Sequence, residues 1–243
     1  MIAPLPRSPG QAGVGALLLL VLAAVPVQAQ PEPPYGRGRG GEIVLTSSGF
    51  GLGAFAMEPI GRRTSLLLET SFGIVKDERE TKYFDLTGSA ILNKRTVLYS
   101  LPARIGLSRR LFARHIEPNV RPFVQASVGP TVGWTYPYFD DCNANGLFDR
   151  TAVDCDDDGQ AGEAERALGF FEAQQQAKIL LGAGGLVGAG AHMGFGRRLL
   201  GLRMAYRWDY YPTGVALLEA DIAERRRLFS TVQLSFTFGH LVD

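Results

Sequence analysis

The strongest constraint on this chain is an unbroken alternation from Val120 to Tyr136, VRPFVQASVGPTVGWTY. Side chains along a strand point to opposite faces in turn, so parity separates the two faces. Even positions carry Val120, Pro122, Val124, Ala126, Val128, Pro130, Val132, Trp134 and Tyr136. Odd positions carry Arg121, Phe123, Gln125, Ser127, Gly129, Thr131, Gly133 and Thr135. One face is wholly apolar and the other mostly small and polar. An ordinary globular strand runs about 5 or 6 residues. A strand of this length belongs in a tall wall.

The same design recurs along the chain. Thr64–Val75 sets Leu66, Leu68, Phe72 and Ile74 against Ser65, Glu69, Ser71 and Gly73. Thr96–Ser108, Ile179–Phe195, Leu200–Tyr210 and Leu228–Phe238 alternate likewise, and Glu42–Met57 continues extended. Seven strands are clear by this count. Bacterial single-chain membrane barrels take even numbers. Splitting Glu42–Met57 at Ser47-Ser48-Gly49 supplies an eighth; a hairpin at Tyr83–Leu92, with the first strand whole, is the alternative.

Alternation alone does not separate a soluble barrel or sandwich from a membrane barrel. A soluble barrel turns its apolar face inward, whereas an outer-membrane barrel turns it to lipid. The polar faces here hold Gly, Ser and Thr with scattered Arg and Glu and almost no Lys. A water-facing surface carries more charge than that. Aromatic residues gather near strand ends, as at Trp134, Tyr136 and Tyr138, or Trp208, Tyr210 and Tyr211. Both features predict an inverted barrel with a crowded polar lumen. By parity Glu69, Arg104, Arg121, Arg203, Arg207 and Asp209 point into it. Buried charges must pair, so a Glu69/Asp209–arginine network is expected. An eight-stranded interior is just wide enough for side chains to fill, which favours a plug over an anion-selective pore.

Residues 1–29 read as a secretory signal peptide. Arg7 supplies a thin positive n-region, Gly13–Val25 is an apolar core too short to span a bilayer, and Val27-Gln28-Ala29 is a cleavage site. Residues 30–41 are Pro/Gly-rich and read as a flexible lead-in to a barrel over 42–240. A net charge of +1 gives no basic footprint for nucleic acid. His115, His192 and His240 are scattered and no G-x-S-x-G or zinc-ligand spacing occurs, so an enzyme is not expected.

Between Pro137 and Lys178 the alternation stops for about 40 residues, far beyond a usual connection. Here Asp154-Cys155-Asp156-Asp157-Asp158-Gly159, five residues and Glu165 match the calcium-loop pattern D-x-D-x-D-G-x5-E. Ca²⁺ wants six to eight oxygens, which alternate carboxylates around a glycine turn can converge. Asp154, Asp156, Asp158 and Glu165 would supply carboxylates, Gln160 a backbone carbonyl, and Gly162 a water position. Upstream, Asp141, Asn143, Asn145, Leu147 and Asp149 repeat the motif in phase, with Ala152 where the last Glu would fall. Each repeat has a Cys at its second position, Cys142 and Cys155. An exported chain permits their disulfide, which would contribute ~3 kcal/mol by loop-closure entropy.

The segments Leu101-Pro102, Arg121-Pro122-Phe123, Val128-Gly129-Pro130-Thr131-Val132-Gly133, LGLRMAYRWDYYP and VQLSFTFG resemble the bacterial outer-membrane β-barrel domain family of Bacteroidetes type. The insertion resembles EF-hand and thrombospondin type 3 calcium repeats. The resemblance implies an all-β, eight-stranded antiparallel up-and-down transmembrane β-barrel. Both termini would be periplasmic and one long extracellular loop would span 137–178. The expected protein is a non-enzymatic, monomeric barrel of the bacterial outer membrane, touching lipid. Its calcium-binding outer loop would meet a surface partner or lipopolysaccharide. Solute or lipid transport is the alternative.

Overall fold

The computed structural model describes residues 37–47, 49–77, 80–85, 88–92, 94–112, 116, 120–142, 166–195, 198–219 and 225–242. Ten strands appear among them: β1 (Arg37–Thr46), β2 (Gly49–Pro59), β3 (Thr64–Val75), β4 (Thr81–Asp85), β5 (Gly88–Leu92), β6 (Thr96–Arg110), β7 (Val120–Pro137), β8 (Lys178–Phe195), β9 (Arg198–Val215) and β10 (Arg226–Val242). One short helix, α1 (Phe170–Gln175), precedes β8. Eight strands close an antiparallel barrel in the order β1-β10-β9-β8-β7-β6-β3-β2, while β4 and β5 form a separate two-stranded sheet. The wall is therefore an up-and-down meander, with β1 paired to β10 from Arg37↔Val242 to Thr46↔Gln233. Both ends of the barrel segment lie at the end with the short turns, and every long connection lies at the other.

The two strand assignments posed as alternatives coexist. The first strand splits, with β1 and β2 paired up to Thr46↔Gly49, and the hairpin forms as well, from Thr81↔Leu92 to Asp85↔Gly88. The hairpin adds nothing to the wall. β1 also begins at Arg37 rather than Glu42, so part of the expected flexible lead-in is wall. Glycine gave no alternation to read there, yet Gly40 and Gly41 pair with Gly239 and Phe238. A Cβ on Gly41 would lie 2.9 Å from the Phe238 ring.

The wall is inverted in polarity. Val128, Met204 and Phe236 on its outside are 59%, 62% and 45% exposed, whereas the inward Ser127, Arg203 and Ser235 are each at most 3% exposed. Prolines sit in this wall where a ladder donor can be spared. Pro130 pairs with Ala183 on the β8 side. On the β6 side the pairing skips from Pro102↔Thr131 to Ile105↔Val128 without a change of register. Pro102 does the same on its β3 side, where pairing skips from Thr70↔Ala103 to Gly73↔Ser100. Proline removes one N–H, and each ring costs one short interruption on one side.

Candidate functional site

The lumen is filled in three layers. At the short-turn end Phe55, Met57, Leu67, Leu199 and Leu241 form an apolar stopper. At the long-loop end Leu98, Tyr211, Val215, Leu217 and Phe229 form a second. Between them lies a buried ionic layer.

That layer has two centres. Arg203 on β9 bridges two carboxylates, with Nη1 to Glu69 Oε2 at 2.6 Å and Nη2 to Glu42 Oε2 at 2.7 Å. Glu69 also accepts from Ser127 Oγ and from Gln125 Nε2 at 3.3 Å. Four residues further along β9, Arg207 donates to Asp209 Oδ2 and to Ser100 Oγ, both at 2.7 Å. Asp209 Oδ1 accepts from Arg104 at 3.0 Å and from Thr131 at 3.1 Å. Three arginines thus meet three carboxylates, each at most 6% exposed. Ion pairs out of water hold best when their remaining hydrogen bonds are satisfied; the Ser, Thr and Gln of the inner face supply most of them, while Arg104 Nε and Arg203 Nε stay without a partner.

The small residues of that face also make room. A Cβ on Gly53 would sit 2.7 Å from Glu42 Cγ, and one on Gly184 would collide with Asp209 Oδ1. Of the charges expected inside, Arg121 stands lower, half-buried and opposite His192. Glu42 was missed. Its signal was present: Glu42 and Val44 alternate with Ile43 and Leu45, but the strand looked too short and apolar to count a lumen charge.

The long-loop end carries a folded cap. The Arg95 amide donates to the Leu217 carbonyl at 3.0 Å, and Lys94 bridges Leu218. Lys94 Nζ meets Glu80 Oε2 at 2.9 Å in a buried pair, and Arg226 meets Asp77 at 3.3 Å. Beneath this cap a cavity of about 350 Å³ ends on Arg207 and Asp209.

The long connection leaves the wall through a clamp. Phe139 bridges Ala167, and the Asp140 amide donates to the Arg166 carbonyl at 3.0 Å. Asp141 follows at once, its Oδ2 accepting from Arg95 at 3.4 Å, and Cys142 is half-buried beyond it. The remaining residues of the first repeat (Asn143, Asn145, Leu147, Asp149), all those of the second (Asp154, Asp156, Asp158, Gln160, Glu165) and Cys155 lie outside the described residues. So does the signal peptide. Among the described residues no His/Cys/Asp/Glu group could hold a metal.

Past the clamp, Glu172 of α1 pairs with Arg166 at 3.1 Å and accepts from the Gly169 amide at 3.1 Å. Those hydrogen bonds, Arg166 first, hold its carboxyl below the usual carboxylate range. A ladder of rings climbs the outer wall to this helix: Phe72 on Tyr99 (5.1 Å), Tyr99 on Tyr136 (6.0 Å) and Tyr136 against Phe170 (6.2 Å).

No family model matches the sequence, and no curated protein does. Solved structures of small barrels do align. The N-terminal β-barrel domain of Pseudomonas aeruginosa OprF is 10% identical, with 86% of this chain and 98% of that one covered and a TM-score of 0.37. The attachment invasion locus protein Ail of Yersinia pestis is 7% identical over 84% and 95%, with a TM-score of 0.38. Neisserial surface protein A is 11% identical over 85% and 93%, with a TM-score of 0.33. At such scores the likeness reaches neither ligand nor activity.

Proposed function

We propose that this chain is a non-enzymatic, monomeric barrel of the bacterial outer membrane, whose long outer loop binds Ca²⁺ and meets a surface partner or the lipid surface. The inverted wall carries the reading. A continuous belt of exposed Leu, Ile, Val, Met and Phe encloses a buried ionic core, and only a hydrocarbon solvent makes that arrangement favourable all round. Closure leaves no strand edge in lipid over most of the wall. With the short turns and both barrel ends periplasmic, the long connections face outward.

The filled lumen speaks against the transport alternative. Two apolar clusters and an ionic layer occupy the lumen among the described residues, which supports a plug. The direct test is cell fractionation with gel mobility before and after boiling. The band should sit in the outer-membrane fraction and shift on heating. A soluble, heat-insensitive band would overturn the proposal.

The calcium part rests on the two in-phase repeats and on the clamp. Asp141 follows Phe139 by two positions and Glu165 precedes Ala167 by two. The chain thus enters and leaves the acidic stretch at one anchored point. A Cys142–Cys155 disulfide would tighten the same stretch. Titrating the oxidised, refolded chain with Ca²⁺ in a calorimeter should give saturable heat, lost on Asp156→Ala. No heat at millimolar Ca²⁺ removes this part and leaves the barrel standing.

A further inference from the structure

The wall is not zipped to its rim everywhere. β7 and β8 stay paired up to Thr135↔Lys178, but β8 and β9 part above Ala183↔Tyr210. Among the described residues, 178–181 therefore have a paired strand on one side only, while Gly182 still abuts Tyr210 and Tyr211. β9 departs because Tyr211–Gly214 bulges, and its pairing with β10 jumps from Leu228↔Tyr210 to Arg226↔Val215. Pro212 cannot donate there, and Gly214 takes a φ of +67° that suits glycine. The strand then bends over the lumen, where Tyr211 and Val215 are buried.

A notch of about 460 Å³ opens at this parting. Among the described residues Arg95, Lys178 and Arg225 line it with one carboxylate, Asp141, in a chain whose net charge is only +1. Below and beside the notch the outer surface is apolar: Trp134 is 46% and Leu181 72% exposed, and Phe170 and Phe171 project from α1.

We propose that this notch is a binding site for one amphipathic lipid of the outer leaflet bearing an anionic phosphate headgroup. It rests on the outer-membrane reading above. A sheet edge left unpaired at the rim of a bilayer is costly. Such a headgroup brings acceptor oxygens to the edge of β8 and to Lys178 and Arg225, since Arg95 is already paired with Asp141, while its acyl chains lie along Leu181 and Trp134. Basic residues at this height attract anionic headgroups by charge as well as by hydrogen bonding.

The test is native mass spectrometry of the full, refolded chain released from nanodiscs that mix zwitterionic phosphatidylcholine with anionic phosphatidylglycerol. One phosphatidylglycerol should be retained per barrel. Retention should fall roughly fivefold for each cation removed in Lys178→Gln and Arg225→Gln. Inorganic phosphate added to the detergent-bound protein should not protect the barrel against unfolding; protection by phosphate alone would point to a free-anion site and overturn the lipid assignment. Equal retention by wild type and the double variant, or retention indifferent to headgroup charge, would overturn it too. Heat-shifted mobility of each variant shows that the barrel has folded. Its loss in the wild type would instead strike at the membrane reading.

Discussion

Arg203→Met should unfold the barrel at a much lower urea concentration than the wild type, with a loss of about 3–5 kcal/mol. Arg203 is the only cation bonded to Glu42 among the described contacts, and it shares Glu69 with Ser127 and Gln125. Removing it leaves two carboxylates buried and facing each other. They must then ionise against burial and mutual repulsion, or take up protons at a cost set by pH. Adding Glu42→Gln and Glu69→Gln to Arg203→Met should recover most of the loss, because neutral amides demand far less solvation. Refolded protein in one detergent, unfolded by urea and followed by tryptophan fluorescence, measures the wild type and both variants. A loss below about 1 kcal/mol for Arg203→Met would place these groups in water, as surface pairs are.

Alternation carried most of the wall into view. Val120–Tyr136 and Leu200–Tyr210 needed nothing but parity to separate their faces, and charged residues in phase with Gly and Ser then had one side left to occupy. What stayed hidden has three physical causes. Glycine is silent in a hydropathy pattern, so Arg37–Gly41 read as a lead-in and Glu42 lost its strand context. Parity counts wall strands but is blind to a hairpin set outside the wall, so β4–β5 competed on paper with the split of β1 from β2. Finally, the cap is aperiodic: Phe139, Leu217 and Leu218 are buried by backbone that wanders. Pro212 and Gly214 hinted at the departure of β9 from the wall. Nothing in the residues alone told that β8 would be left single-sided.

Met204→Arg separates the membrane reading from a soluble barrel by size of effect. Met204 faces outward beside the buried Arg203, paired across the wall with Leu234 and Ala189. It therefore lies at the height of the ionic layer, well below the aromatic rim at Tyr210. In a bilayer an arginine there must drag its charge towards an interface or thin the membrane, at about 2–4 kcal/mol near the midplane. On a water-facing wall the same change replaces an exposed thioether by a solvated cation and stays within about 0.5 kcal/mol. Phe171→Arg on α1 is the internal comparison. It stands above the rim, where such a substitution costs about 0–1 kcal/mol in a membrane barrel. Folding both variants into phospholipid vesicles and titrating with denaturant should give a large loss for Met204→Arg and a small one for Phe171→Arg. Two equally small losses would mean that the belt of exposed Leu, Val, Met and Phe faces something other than lipid. The inverted polarity of the wall would then need a protein partner covering it on every side.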